Sequence, residues 1–299
     1  MMNMQWTRGE TLGKGGFGFV SIAKTHQQPE SDQSIIPPLI AVKSAKFSES
    51  ESLCKEKQFL EKFKGCPSIL GCFGDEITTE NGEKLYNILI EYASGGCLFD
   101  RIIPKKGLPE MIVSRCAKSI LSALVHIHKL GYIHCDVKPH NVLLFGDGLD
   151  AKLADFGSCL SIDEGKGKSC EFRGTVIYAA PESISRQKFV PESDIWGLGC
   201  SVLHMLTGKA PWVFDKKTDV KDALFKIGCS SELPEIPTNN KISKEARDFL
   251  KKCLVKDPTA RWKADMLIDH PFVKSKCHHH RRIHSIVPHC FHIPKVQAC

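Results

Sequence analysis

The amino-acid sequence predicts an α+β chain in two lobes, a small β-rich one followed by a larger, mainly helical one. Three observations carry that reading. Through residue 93, short apolar runs alternate with glycines and polar clusters, with one helical stripe among them. Ser94-Gly95-Gly96 then interrupts the pattern. Beyond it, through residue 274, apolar residues recur at the three- and four-residue spacing of helices. The expected organisation is a first lobe over 1–93, a second over 94–274, and a flexible, basic, His-rich tail over 275–299.

Each element has its own signal. Thr11 to Lys24 sets glycines within a strand-like alternation, and Thr25 to Pro38 is polar and proline-bearing, a surface loop. Leu39 to Val42 is a short apolar strand ending at Lys43. Ser50 to Lys64 places Leu53, Phe59, Leu60 and Phe63 among charges, a helix with one buried stripe. Ile69–Ile77 and Lys84–Tyr92 read as strands, with Asn81-Gly82 as the hairpin turn between them. In the second lobe, Pro109 to Leu130 carries Ile112, Cys116, Ile120, Leu124 and Ile127 on one helix face, with Gly131 as the stop. Asp194 to Thr207 is apolar all round, the mark of a central buried helix. Lys244 to Val255 is amphipathic.

Composition narrows the class. Apolar residues at 42% and charged residues at 25% describe a globular protein and exclude disordered or fibrous chains. No apolar run approaches the ~18 residues of a membrane span, and Met1 to Glu10 lacks the apolar core of an export signal. The 14 cysteines are therefore expected to be free thiols in a reducing cytosol or nucleus, several of them serving as small apolar side chains, as at Cys200 and Cys253. The net charge is +7, but five basic residues and no acidic ones lie between Pro271 and Cys299. The body is thus close to neutral, with no electrostatic case for binding nucleic acid. A monomer is expected.

Gly13-Lys14-Gly15-Gly16-Phe17-Gly18-Phe19-Val20 fits G-x-G-x-x-G-x-V. A dinucleotide-binding version of that pattern needs a helix after the glycines. Here Phe19-Val20-Ser21-Ile22-Ala23 alternates like a strand, which argues against an oxidoreductase and for a β-hairpin lid over phosphates. Ile40-Ala41-Val42-Lys43 follows, and a lysine ending an apolar strand needs a partner. Glu56, on the next helix and four residues before Leu60, is the candidate.

The strongest signal is His134-Cys135-Asp136-Val137-Lys138-Pro139-His140-Asn141, then Asp155-Phe156-Gly157, then Gly174-Thr175 through Ala180-Pro181-Glu182. In this order and at these distances the chain resembles the eukaryotic protein kinases from about Trp6 to Val273, with their bilobal fold. The resemblance implies transfer of the ATP γ-phosphate to protein serine or threonine. It makes Asp136 the acceptor of the substrate hydroxyl's proton, Lys138 a cation for the moving phosphate, and Lys43, paired with Glu56, the holder of the α- and β-phosphates. Asn141 and Asp155 would be the Mg²⁺ ligands. Leu12, Gly13, Gly15, Gly18, Val20, Ala41, Ile90, Glu91, Ala93 and Leu143 would surround the nucleotide, with Ile90 as gatekeeper and Glu91-Tyr92-Ala93 as the hinge. Cys97 falls where many kinases put a polar ribose contact. Asp136-x-Lys138-x-x-Asn141 and Gly174-Thr175 resemble the serine/threonine branch.

Other residues are implied to be structural. Leu60, Cys72, Phe156 and His134 would stack as an apolar column, Asp194 would anchor the catalytic-loop backbone, and Glu182 would pair with Arg261. Cys135 stands where kinases switched by loop phosphorylation carry arginine, so activity is expected not to depend on phosphate in 155–182, unless Arg173 supplies the cation. Trp6-x-x-Gly9-x-x-Leu12-Gly13, Tyr92-Ala93-Ser94-Gly95-Gly96 and Gly208-Lys209-Ala210-Pro211-Trp212 resemble MAP kinase kinase kinases, and Cys135 with the bare domain resembles their short plant members. The implied partner is a MAP kinase kinase. The alternative, a kinase-fold scaffold without turnover, is opposed by the presence of Lys43, Asp136 and Asp155. The histidines after Lys274 fit no structural zinc spacing.

Overall fold

In a computed structural model, residues 5–15, 18–26, 36–146, 148, 150–165, 172–215, 218–238 and 241–274 are described. Strands β1 (Gln5–Gly15), β2 (Gly18–His26), β3 (Leu39–Lys46), β4 (Cys72–Glu80) and β5 (Glu83–Glu91) form one antiparallel sheet in the order β1-β2-β3-β5-β4. The central strands β3 and β5 are buried over most of their length, which their apolar runs Leu39-Ile40-Ala41-Val42 and Ile88-Leu89-Ile90 allow. Edge strand β4 alternates between half-buried and exposed positions, as its polar residues require. Asn81 and Gly82 both take left-handed backbone, at φ 51° and 80°, as a tight two-residue hairpin demands.

Several boundaries differ from expectation, the first strand beginning at Gln5 rather than Thr11. β3 continues past Lys43 to Lys46, because Ser44 and Ala45 pair with Asn87 and Tyr86. β2 runs through His26, so the expected loop begins later; residues 27–35 lie outside the described residues, as does the tail 275–299. The strand expected from Ile69 begins only at Cys72. Ile69 instead makes a parallel bridge to Leu153 of the second lobe, because its neighbours Ser68 and Leu70 bond to Leu153 of that strand.

One polar residue ties the sheet together. Arg8 of β1 binds Glu80 of β4 through Nε and Nη2, each at 2.9 Å, and donates to Ser44 Oγ of β3 at 3.1 Å and Asn87 Oδ1 of β5 at 2.9 Å. Its guanidinium lies 5.1 Å from the Trp6 ring and 5.2 Å from Phe19 of β2. All five strands thus meet at one side chain.

Helix α1 (Glu51–Lys62) buries Leu53, Glu56 and Leu60, one stripe at spacings of three and four. In the second lobe the helix Glu110–Lys129 buries eight residues on one face, and the helix Pro191–Thr207 is buried continuously from Ser193 to Met205. The helix Lys244–Cys253 packs against the latter. Short strands β6 (Gly96–Cys97), β8 (Val142–Phe145) and β9 (Asp150–Leu153) form a sheet in the order β6-β8-β9, while β7 (Tyr132–Ile133) pairs with β10 (Leu160–Ser161). Among the described residues no helix is long and apolar enough to cross a membrane.

Cys200 and Cys253 are fully buried in this core, and burial pushes both thiols far up, so they are inert apolar fillers. Glu182 and Arg261 meet in a fork, Nη1–Oε1 at 2.8 Å and Nη2–Oε2 at 3.0 Å, and Ser193 Oγ donates to the same carboxylate at 2.8 Å.

Candidate active site

Strand β3, helix α1 and the turn after β9 bring three charged residues together. Lys43 Nζ lies 2.6 Å from Glu56 Oε2 and 3.2 Å from Asp155 Oδ1. Glu56 is only 3% exposed, whereas Asp155 is half exposed. Burial works against the Lys43 ammonium, but Glu56 and then Asp155 outweigh it and hold its pKa above the ordinary value. Burial pushes Glu56 up against the pull of Lys43. For Asp155 burial also pushes up, yet Lys43 beside it prevails and holds the carboxyl below the usual range. The two carboxylates therefore favour the charged ammonium.

The second constellation is built on the loop after β7. Lys138 Nζ donates to Asp136 Oδ2 at 2.7 Å and to Thr175 Oγ1 at 2.6 Å, and the Thr175 hydroxyl donates to Asp136 Oδ1 at 3.0 Å. Asn141 Nδ2 donates to the Asp136 carbonyl at 2.9 Å and to Oδ2 at 3.1 Å. Asp194, from the central helix, accepts from the His134 and Cys135 amides, each at 2.9 Å, and His128 Nε2 lies 2.8 Å from it. These bonds hold Cys135 in left-handed backbone, φ 68°. Arg173 lines the same small cavity as Cys135 and Asp194.

The expected apolar column is assembled around Phe156. Leu60, Phe156 and His134 are all buried, with His134 5.0 Å from the Phe156 ring, and Cys72 packs half-buried against the same core. Phe63 joins it at 5.4 Å from Phe156 and 5.5 Å from Tyr132, linking the end of α1 to β7. The spacing of Phe63 marked it as a core residue; nothing local marked its partner Tyr132.

Around the cleft, Ala41 and Ile90 face each other across β3 and β5, each 5% exposed. Val20 and Leu143 pack half-buried against the same cluster, while Leu12 stands half exposed outside it. Gly15 pairs with Gly18 to close the β1–β2 hairpin; Gly16 and Phe17 lie outside the described residues. The glycines are not equivalent. A Cβ on Gly13 or Gly15 would meet open space, but Gly18, at φ 141°, has the Ser44 carbonyl 2.0 Å from where its Cβ would be. Gly18 is thus demanded by close packing on β3 as well as by its backbone. At the hinge, the Glu91 amide is already bonded to the Gly71 carbonyl at 3.1 Å, and the Ala93 carbonyl accepts from Gly96 at 3.0 Å. Cys97 Sγ donates to the His140 carbonyl at 3.4 Å, and burial pushes its thiol up to about 11.

Sequence reasoning missed Thr175 as a partner of Asp136, Arg8 as the tie of the sheet, and Lys152, whose Nζ lies 2.7 Å from both carboxylate oxygens of Glu91. Only the first had a signal, the Gly174-Thr175 pair.

Residues 6–273 match the family described as protein kinase domain. Three Arabidopsis thaliana proteins are similar over nearly the whole chain. Mitogen-activated protein kinase kinase kinase 20 is 44% identical over 275 residues, covering 90% of this chain and 78% of that protein. Mitogen-activated protein kinase kinase kinases 18 and 17 are 40% and 38% identical, each over 91% of this chain and over 78% and 70% of their own lengths.

Proposed function

This chain belongs to the protein kinase family, as a serine/threonine kinase that uses ATP, and from that premise we propose that its substrate is a MAP kinase kinase. The observation that carries the catalytic reading is the Lys43 ammonium held between Glu56 and Asp155, residues 13 and 112 positions away. The names of the three plant relatives support the choice of substrate. A scaffold without turnover is not favoured, since every group the chemistry needs is present.

Each residue then has a task. Lys43 neutralises the α- and β-phosphates, and Glu56 keeps it aimed. Val20, Ala41, Ile90 and Leu143 enclose the adenine ring. Because the Glu91 amide is engaged, the ring is read by the Glu91 carbonyl and the Ala93 amide. Asp136 orients the substrate hydroxyl and accepts its proton, and Lys138 lies ready for the moving phosphate. Asn141 spends its amide hydrogens on Asp136, which leaves its carbonyl oxygen as the acceptor end; with Asp155 it offers hard oxygen donors that suit Mg²⁺. When bound, that ion would neutralise phosphate charge. As the sequence suggests, we propose a monomer working in a reducing cytosol or nucleus, where the ten free cysteines among the described residues would stay thiols.

The test is to incubate the protein and ATP with a catalytically dead MAP kinase kinase, with Asp136→Asn as control. Label is expected on serine or threonine of that substrate. No label there, with label on another protein of a lysate, would overturn the substrate and leave the kinase.

A further inference from the structure

Glu91 ends β5 where the chain passes from the first lobe to the second. Its carboxylate does not face solvent freely. Lys152 Nζ is 2.7 Å from both oxygens, and the Gly71 amide donates to Oε2 at 2.7 Å. The main chain doubles the contact, the Glu91 amide donating to the Gly71 carbonyl at 3.1 Å. Lys152 stands on β9 of the second lobe, with its ammonium 5.0 Å from the Phe145 ring. The segment ending at Gly71 is bonded to that same strand, Leu153 N–H to the Ser68 carbonyl at 2.8 Å and Leu70 N–H to the Leu153 carbonyl at 2.9 Å. One side chain at the hinge is therefore held by both lobes at once.

Gly71 supplies an independent sign that this grip is built. Its backbone is not left-handed, so conformation does not require glycine there. Space favours it: a Cβ at position 71 would lie 2.9 Å from Glu91 Cδ and 3.1 Å from Cγ, so the Glu91 side chain would have to shift out of its present position. Glycine thus leaves room for the carboxylate to reach the amide and the ammonium together. Lys152 and Glu91 are 22% and 27% exposed, so the pair is sheltered from much of the screening that weakens surface ion pairs.

We infer that Lys152 and Gly71 are positioning residues for the nucleotide: by holding the Glu91 side chain behind the hinge, they fix the backbone that meets the adenine ring. The inference rests on the proposed placement of adenine against Glu91–Ala93. Neither residue touches the reacting phosphate, so their loss acts on nucleotide affinity and not on the chemical step.

The experiment compares Lys152→Met, Lys152→Arg and Gly71→Ala with the unmodified full chain. ATP affinity is read by fluorescence titration, KM and kcat at saturating protein substrate, and Tm by melting. Lys152→Met and Gly71→Ala are each expected to raise KM and Kd for ATP roughly tenfold with kcat nearly unchanged. Lys152→Arg, which keeps a two-pronged donor for the carboxylate, restores most of the affinity. The preference for ATP over ITP, which differ only in the group facing the hinge, falls in the same two variants. Lowered Tm with unchanged KM, Kd and ATP preference would overturn the inference and leave Lys152 a brace. If the unmodified protein itself does not distinguish ATP from ITP, the placement of adenine fails, which is a separate result.

Discussion

The Thr175 hydroxyl donates to Asp136 Oδ1 across 3.0 Å, although 39 residues separate them. Since Lys138 Nζ also lies 2.6 Å from that hydroxyl and 2.7 Å from Asp136 Oδ2, Thr175 braces the lysine–aspartate pair from one side. Misplacing a catalytic group by about 1 Å can cost roughly a hundredfold in rate. Thr175→Ala is expected to lower kcat between about ten- and a hundredfold with little change in Tm. Thr175→Ser, which keeps the hydroxyl, stays near the unmodified value. Steady-state kinetics on a protein substrate checks both.

Asp136→Asn retains the shape of the side chain but cannot accept a proton. Turnover is expected to fall by about 10²–10⁴, the usual worth of general base catalysis, with ATP binding intact. Lys43→Met is expected to lower kcat too. It also leaves Glu56, 3% exposed, without the cation it was buried with, so Tm falls as well. Paired kinetics and melting separate the two cases.

Arg261 and Glu182 are both buried, at 0% and 4% side-chain exposure, and neither approaches the cleft. Arg261→Met strands the Glu182 carboxylate and is expected to cost about 3–5 kcal/mol. At ~2–4 °C per kcal/mol, that lowers Tm by roughly 10 °C. KM for ATP, measured well below the new Tm, should not move.

The Arg8 guanidinium holds the Glu80 carboxyl below its ordinary pKa of 4.5, against a smaller opposing effect of burial. A depressed folded-state pKa stabilises the fold above the unfolded value and stops doing so as pH falls through the folded one. The Tm gap between the unmodified protein and Glu80→Gln is therefore expected to be constant from pH 7 to about 5 and to close below 4.5. A gap that widens in acid would contradict the sign.

The start of the activation segment is held by contacts of its own. The Ser161 amide and hydroxyl donate to Glu164 Oε2 at 2.8 and 2.7 Å, and Phe189 N–H bonds the Gly165 carbonyl at 3.0 Å. With Cys135 in the place of arginine, phosphatase-treated protein is expected to keep its activity. Inert protein that revives on phosphorylation of Ser161 or Ser169 would refute this and point to Arg173 as the receiving cation. Ser169 lies outside the described residues.

Local chemistry determined most of the elements, and the resemblance to protein kinases supplied the residues lining the cleft. Glycine and Asn-Gly set the hairpins, apolar periodicity set α1 and the buried helices, and the Asp136–Asn141 and Asp155–Gly157 runs announced their own neighbourhood. Those signals are short-range, because backbone conformation and side-chain spacing act within a few residues. What tertiary structure decided is which distant groups share a charge or a bond. Thr175 against Asp136, Lys152 against Glu91, Ile69 against Leu153 and Arg8 against four other strands depend on how two lobes and five strands stack. No periodicity encodes such pairs; they arise because a buried charge or donor must find a partner wherever the fold brings one within reach.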